Sequence, residues 1–147
     1  EYLPTDQLRL FASLGWLGSE YRNLLLEDGT NLTGREQAHA PNYQVHAGAE
    51  WYISSAFSAR VEVDAKDAFY FSNSHDERAK AHELVHARIN YYWNDWELSL
   101  YVRNLFDTDY ATRGFYFGND PRDEYKAKNY VQYGEPRRIG LSARVRF

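Results

Sequence analysis

Arg137-Arg138-Ile139-Gly140-Leu141-Ser142-Ala143-Arg144-Val145-Arg146-Phe147 is the stretch that decides the fold class. Ile139, Leu141, Ala143, Val145 and Phe147 share one parity, and Arg138, Gly140, Ser142, Arg144 and Arg146 share the other. A strand points successive side chains to opposite faces, whereas a helix of about 3.6 residues per turn would mix the two sets. The same period recurs upstream. Trp96, Leu98, Leu100 and Val102 alternate with Glu97, Ser99, Tyr101 and Arg103. Phe57, Ala59, Val61, Val63 and Ala65 alternate with Ser58, Arg60, Glu62, Asp64 and Lys66. Tyr43 to Trp51, Leu8 to Trp16 and His82 to Trp93 repeat the pattern. Strands are therefore predicted at 6–17, 43–53, 57–71, 82–93, 96–106 and 136–147.

The connections alternate too. Ile53–Ala56 and Asn94–Asp95 are short, while Ser19–Asn42, Ser72–Ala81 and Asp107–Glu135 are long, polar and rich in turn-forming residues. Short turns at one end and long loops at the other mark a membrane barrel, with the turns periplasmic and the loops extracellular. The composition agrees. Mean hydropathy is −0.71, and no apolar run approaches the roughly 18 residues of a spanning helix. Yet 17% of the residues are aromatic, as two interfacial girdles around a polar lumen would require. Trp51, Phe57, Tyr91, Trp93, Trp96 and Phe147 fall at short-turn ends, and Trp16, Tyr43, Phe69, Phe71 and Phe106 at long-loop ends. Aromatics also cap the strands of soluble β-sandwiches, but the row Arg60, Glu62, Asp64, Lys66 suits a wet lumen. The predicted fold is all-β: an antiparallel up-and-down meander of about six strands, part of a large transmembrane β-barrel. Two edges, Leu8–Trp16 and Ile139–Phe147, are expected to lack partners within the chain.

A net charge of −4 argues against a nucleic-acid-binding surface, which would need a basic patch. With no cysteine there is neither a disulfide nor a thiolate metal site. The chain opens at Glu1 without a basic leader or an apolar signal core, so further segments are expected upstream.

Asn104-Leu105-Phe106-Asp107 followed by Tyr110, and Gly134-Glu135-Pro136-Arg137-Arg138 leading into a strand that ends on Phe147, carry a family resemblance. Together with Ala40-Pro41-Asn42-Tyr43 and Leu84-Val85-His86-Ala87-Arg88-Ile89, they resemble the end of TonB-dependent outer-membrane receptors, in which Asn is commoner than His at position 86. The resemblance covers essentially the whole chain. It implies that residues 1–147 are the C-terminal barrel segment of a receptor whose plug and earlier strands lie outside this sequence. Such barrels have about 22 strands and a plugged lumen. The implied function is energy-dependent uptake of a scarce nutrient, with an iron–siderophore complex favoured over haem, cobalamin or a sugar. The implied partners are the rest of the barrel and plug, outer-membrane lipid, a TonB-type energy-coupling protein and the small-molecule ligand. No cofactor and no catalysis are expected, and the implied location is the bacterial outer membrane. Phe147 resembles the terminal aromatic read by the barrel-assembly machinery.

One motif points elsewhere. His82-Glu83-Leu84-Val85-His86 matches H-E-x-x-H, in which two histidines on one helical face hold zinc and the Glu is the general base. A zinc metalloprotease is the alternative from another functional class; a small structural or adhesive outer-membrane barrel is a third. In a strand, positions 82 and 86 would lie roughly 13 Å apart at about 3.3 Å per residue, too far to share one metal. His39, His46 and His75 are read as solvated loop or lumen histidines. Ligand contacts are expected in the loop 107–135, chiefly at Arg113, Tyr116, Arg122 and Tyr125. Cations beside aromatic rings there suit an anionic, partly aromatic ligand.

Overall fold

The computed structural model describes residues Glu1–Phe147 and contains no α-helix. Seven strands form the main sheet: β1 (Tyr2–Thr5), β2 (Leu8–Trp16), β3 (Tyr43–Tyr52), β4 (Phe57–Lys66), β7 (His82–Trp93), β8 (Trp96–Arg103) and β11 (Arg138–Val145), adjacent in that order. Two small hairpins stand apart from it, β5 (Phe69–Tyr70) with β6 (Arg78–Ala79) and β9 (Ala111–Phe117) with β10 (Lys128–Tyr133). A single 3-10 turn, Pro121–Asp123, lies between β9 and β10.

Every pairing in the main sheet is antiparallel, and from β2 to β11 the register runs without a bulge. Parity is therefore conserved across the sheet. One row reads Leu10, Ala49, Val61, Ala87, Val102, Ile139, and the row beside it reads Arg9, Glu50, Arg60, Arg88, Tyr101, Gly140. The first row belongs to an apolar face and the second to a polar one. Glycine opposite an aromatic ring recurs twice on the polar face. A Cβ on Gly48 would come within 2.4 Å of the Phe11 ring, and one on Gly140 within 2.4 Å of the Tyr101 ring. The rings lie over the bare backbone and cover what glycine leaves open.

The apolar face has no covering layer. Only 10 of the 147 residues are buried, whereas a β-sandwich would bury the inner face of both sheets. Leu141 is 81% exposed and Ile139 71%. That uncovered face is the expected solvent-facing surface only if the solvent is lipid. Trp16, Trp51, Phe57, Trp93 and Trp96 stand exposed at the strand ends, as the two girdles require.

Several expectations are corrected. The strand predicted at 57–71 stops at Lys66, where the Asp67 carboxylate accepts the Ala68 N–H at 2.8 Å. The chain then turns away to pair Phe69 with Ala79. Phe69 and Phe71 are thus no part of a girdle. At 1% and 4% exposure they form, with Ala79, a small core packed against Ala111 and Val131. The region 107–135 is not a plain loop, because β9 and β10 make a ladder from Phe117↔Lys128 to Ala111↔Tyr133. Leu8–Trp16 is not a bare edge either: β1 covers its first part, pairing Tyr2 with Leu10 and Thr5 with Leu8. The strand predicted at 96–106 ends at Arg103, because Asn104 takes a positive φ of 50°. Phe147 lies beyond the last strand and is fully exposed.

Candidate functional site

The polar face carries a chain of ionic contacts running from the short-turn end toward the long-loop end. Arg9 Nε bonds Glu1 at 2.8 Å, and Arg9 Nη1 meets Glu50 at 3.4 Å. Arg60 reaches Glu50 at 3.9 Å and Glu62 at 2.6 Å, while its guanidinium lies 4.7 Å over the Phe11 ring. Glu62 is 3.5 Å from His46 Nε2, and His46 Nδ1 bonds Asp64 at 2.8 Å. The second Asp64 oxygen takes His86 Nε2 at 3.1 Å. The arrangement follows from register. His46 stands opposite Asp64 on β3 and β4, and Glu62 opposite His86 on β4 and β7. Below this chain, Ser58, Asn90 and Ser99 are buried and joined by hydrogen bonds of 3.0 and 2.7 Å across three strands. On the far side the face turns basic. Arg88, Arg103, Arg137, Arg138 and Arg144 line a concavity of about 1070 Å³. Glu135 bonds Arg138 at 3.0 Å, and Glu97 meets Arg144 at 3.8 Å.

Asn104 closes the upper end of β8. It is 2% exposed. Its side-chain amide donates to the carbonyls of Thr108 and Glu135 at 3.0 and 3.1 Å, and its Oδ1 accepts the Thr108 N–H at 2.9 Å. Asp107 accepts the Arg137 N–H at 2.7 Å. The two sequence boxes, Asn104-Leu105-Phe106-Asp107 and Glu135-Pro136-Arg137, therefore meet in space and pin the start of β11 to the end of β8. Tyr110 completes the junction. Its carbonyl accepts the Gly134 N–H at 2.8 Å, its hydroxyl accepts the Glu135 N–H at 3.2 Å, and its ring occupies the space a Cβ on Gly134 would need. Phe106, in the same box as Asn104, is 71% exposed.

Above the sheet the three long loops fold onto one another. Arg35 sits at their centre, bonding Asp76 at 2.7 Å, donating to the carbonyls of Ser72 and His75, and stacking 4.0 Å over Tyr70. Arg78 covers the same ring at 4.3 Å and pairs with Glu36 at 3.0 Å. Asn129 of β10 donates to Glu77 at 2.8 Å. At the tip of the β9–β10 hairpin, the hydrogen bond from Arg122 holds the Asp120 carboxyl below the ordinary carboxylate value. A hydrogen bond to Asp123 raises Lys128 in turn.

The four predicted ligand residues separate into two pairs. Arg113 and Tyr116 line one cavity of about 250 Å³ together with His39, Phe71, Ser74 and His75. The Tyr116 ring lies 5.5 Å from that of His75. Arg122 and Tyr125 sit instead at the exposed hairpin tip, where Arg122 is engaged by Asp120 and Tyr125 has a φ of 58°. The zinc alternative is overturned by geometry. His82, Glu83 and His86 lie on β7, with Glu83 on the apolar parity opposite Ala65. His82 rests 4.8 Å from the Tyr110 ring, and His86 is taken up by Asp64. No three His, Asp or Glu side chains converge as a metal-binding group. Arg35, Tyr70 and Arg78 escape sequence reading because their contacts join separate loops. The His46–Asp64–His86 group could have been found by aligning the parities of β3, β4 and β7.

No protein-family model matches the chain. Solved structures do. The ferric yersiniabactin uptake receptor FyuA of Yersinia pestis superposes with a TM-score of 0.79 at 20% identity, over 99% of this chain and 22% of that one. The siderophore receptor PiuA of Acinetobacter baumannii gives 0.72 at 17% identity, over 95% and 19%. The ferric enterobactin receptor PfeA of Pseudomonas aeruginosa, a mutant solved with enterobactin, gives 0.62 at 16% identity, over 97% and 20%. The chain spans about a fifth of the length of these receptors. At such identities the likeness establishes the fold: the sheet is one arc of a large antiparallel barrel of their kind.

Proposed function

We propose that this chain is the C-terminal arc of a TonB-dependent outer-membrane receptor, and that the whole receptor imports a ferric siderophore. One observation carries the reading: a sheet whose parity is conserved from β2 to β11, with an uncovered apolar face on one side and an ion-paired face on the other, beneath a folded loop domain. The apolar face requires lipid. The open edges at β1 and β11 require further strands in a bilayer, where unpaired backbone groups cost several kcal/mol each. A large barrel supplies both, and a small barrel made of this chain alone would be left open. The ion-paired face then lines a wet lumen in contact with a plug, and the energy-coupling partner acts through that plug. The loop domain faces the medium. Arg113 and Tyr116 are the proposed ligand contacts, since a cation and an aromatic ring in one cavity complement an anionic catecholate. Arg122 and Tyr125 are proposed as outer contacts at the hairpin tip. Phe147 is proposed as the residue recognised during barrel assembly.

Uptake of iron-55 by cells carrying the full-length gene, in a strain stripped of its own siderophore receptors, tests this reading. Uptake of at least one ferric siderophore is expected, lost when the energy-coupling protein is deleted. Arg113→Ala and Tyr116→Ala should each raise the half-saturating concentration at unchanged receptor abundance. Growth rescue by haem, cobalamin or a sugar in place of every siderophore tried would overturn the ligand class.

A further inference from the structure

His86 occupies an unusual place in the ladder. The pairing of β7 with β8 ends at Ala87↔Val102, and β7 continues past it paired only with β4. Above that point the backbone N–H of Leu105 still finds the Val85 carbonyl at 2.8 Å. The N–H of Asn104 finds no carbonyl. It donates to the imidazole of His86, at 3.0 Å from Nδ1. A side chain thus stands in for a main-chain acceptor, at a residue that is itself buried and holds the junction between β8 and β11.

That bond fixes the chemistry of the ring. Nδ1 accepts, so it carries a lone pair. The proton of the neutral imidazole then sits on Nε2, where it is donated to Asp64 at 3.1 Å. A second proton could go only to Nδ1, and it would point at the Asn104 N–H. The imidazolium has two donors and no acceptor, so the charged ring cannot hold Asn104. We propose that His86 is a pH-sensitive latch: its neutral ring locks the Asn104 junction, and its protonation releases the junction and loosens the base of the β9–β10 hairpin.

Charged groups from four strands face the ring. On β4, Glu62 lies opposite and Asp64 bonds the ring; on β3, His46 shares Asp64. On β8, Tyr101 and Arg103 line the same concavity, with Arg138 on β11 and Arg88 on β7 itself. These two carboxylates and three guanidiniums therefore share the concavity around the ring. The ring is also partly open, with 20% of its side chain exposed, so protons can reach it. Only the opened junction leaves Nδ1 free to bind a proton, so acidification favours opening. The released Asn104 would no longer order Thr108 and Glu135, the two carbonyl partners that flank the hairpin.

The latch depends on the lumen-side geometry and not on which solute the receptor imports. Hydrogen exchange on the full-length protein in detergent, read by mass spectrometry at pH 7.5 and pH 5 and corrected for the intrinsic rate, tests it. Protection of the peptides containing 104–110 and 133–137 should fall about tenfold or more at pH 5, the scale of one lost buried hydrogen bond. Peptides of β3 and β4 should keep their protection. In His86→Asn the amide oxygen takes the place of Nδ1 without titrating, and the fall should vanish. His46→Gln leaves the latch in place and should retain the fall. Equal protection of the wild type at both pH values overturns the proposal, with or without a folded variant. A His86→Asn protein that loosens as much as the wild type overturns it as well.

Discussion

At the scale of single residues, the junction of β8 with β11 concentrates most of the specific chemistry. Asn104→Ala would leave the Thr108 N–H and the Thr108 and Glu135 carbonyls without partners, at a cost of about 1–3 kcal/mol. Urea unfolding of the full-length protein in lipid measures it. Gly134→Ala would drive a Cβ into the Tyr110 ring, to 1.9 Å from its nearest atom, and should destabilise the same junction. Tyr110→Ala should relieve part of that loss, so the double-mutant cycle should show favourable coupling. At the hairpin tip, Asp120 is held below its ordinary value first by its hydrogen bond to Arg122. Its contribution to tip order is complete above the ordinary carboxylate range and is lost as pH falls through its lowered value. Tip exchange should therefore rise only in acid well below neutrality. Arg122→Ala should move that rise toward the ordinary carboxylate range. The boxes around Asn104 and Pro136 were visible in sequence, but not what they do. Their meeting depends on an αL residue and on carbonyl partners up to 31 positions away, which no local pattern encodes.

Among elements, the legible ones were those whose two faces meet different solvents. β3 and β11 contrast apolar with polar along their length, and β7 does so from Val85 to Asn90; sequence located all three within a few residues. The misjudged ones lie above the sheet, where both faces see mixed surroundings. Phe69 and Phe71 continue the parity of β4 through Asp67 and Ala68, so alternation alone carried the predicted strand too far. The β9–β10 hairpin was hidden because Arg113-Gly114-Phe115-Tyr116-Phe117 shows no alternation of polarity. Gly114 instead makes room for Phe71, whose ring a Cβ would approach to 2.3 Å. Replacing residues 111–133 by a short linker should leave the barrel resistant to detergent-driven unfolding. It should also strip the cover from Phe69 and Phe71. The segment 67–81 should then become sensitive to protease added to intact cells, and protection of that segment in the deletion would contradict the shared core.

For the molecule as a whole, the controlling quantity is which face meets hydrocarbon. Val61 sits in the middle of β4 on the apolar face, 48% exposed. Val61→Arg should cost about 2–4 kcal/mol in a bilayer, the penalty of a cation near the midplane. Ser13→Arg, on the polar parity of β2, should be far better tolerated, and equal costs would refute the assignment of faces. The unbroken register from β2 to β11 has a consequence for heredity. With no bulge to absorb an odd residue, one inserted amino acid between Ala49 and Glu50 turns the remainder of β3 inside out, while two restore it. Each strand therefore has a reading frame of two, much as a gene has one of three. Lineages descended from this sequence should gain and lose strand residues in pairs, and loop residues in any number.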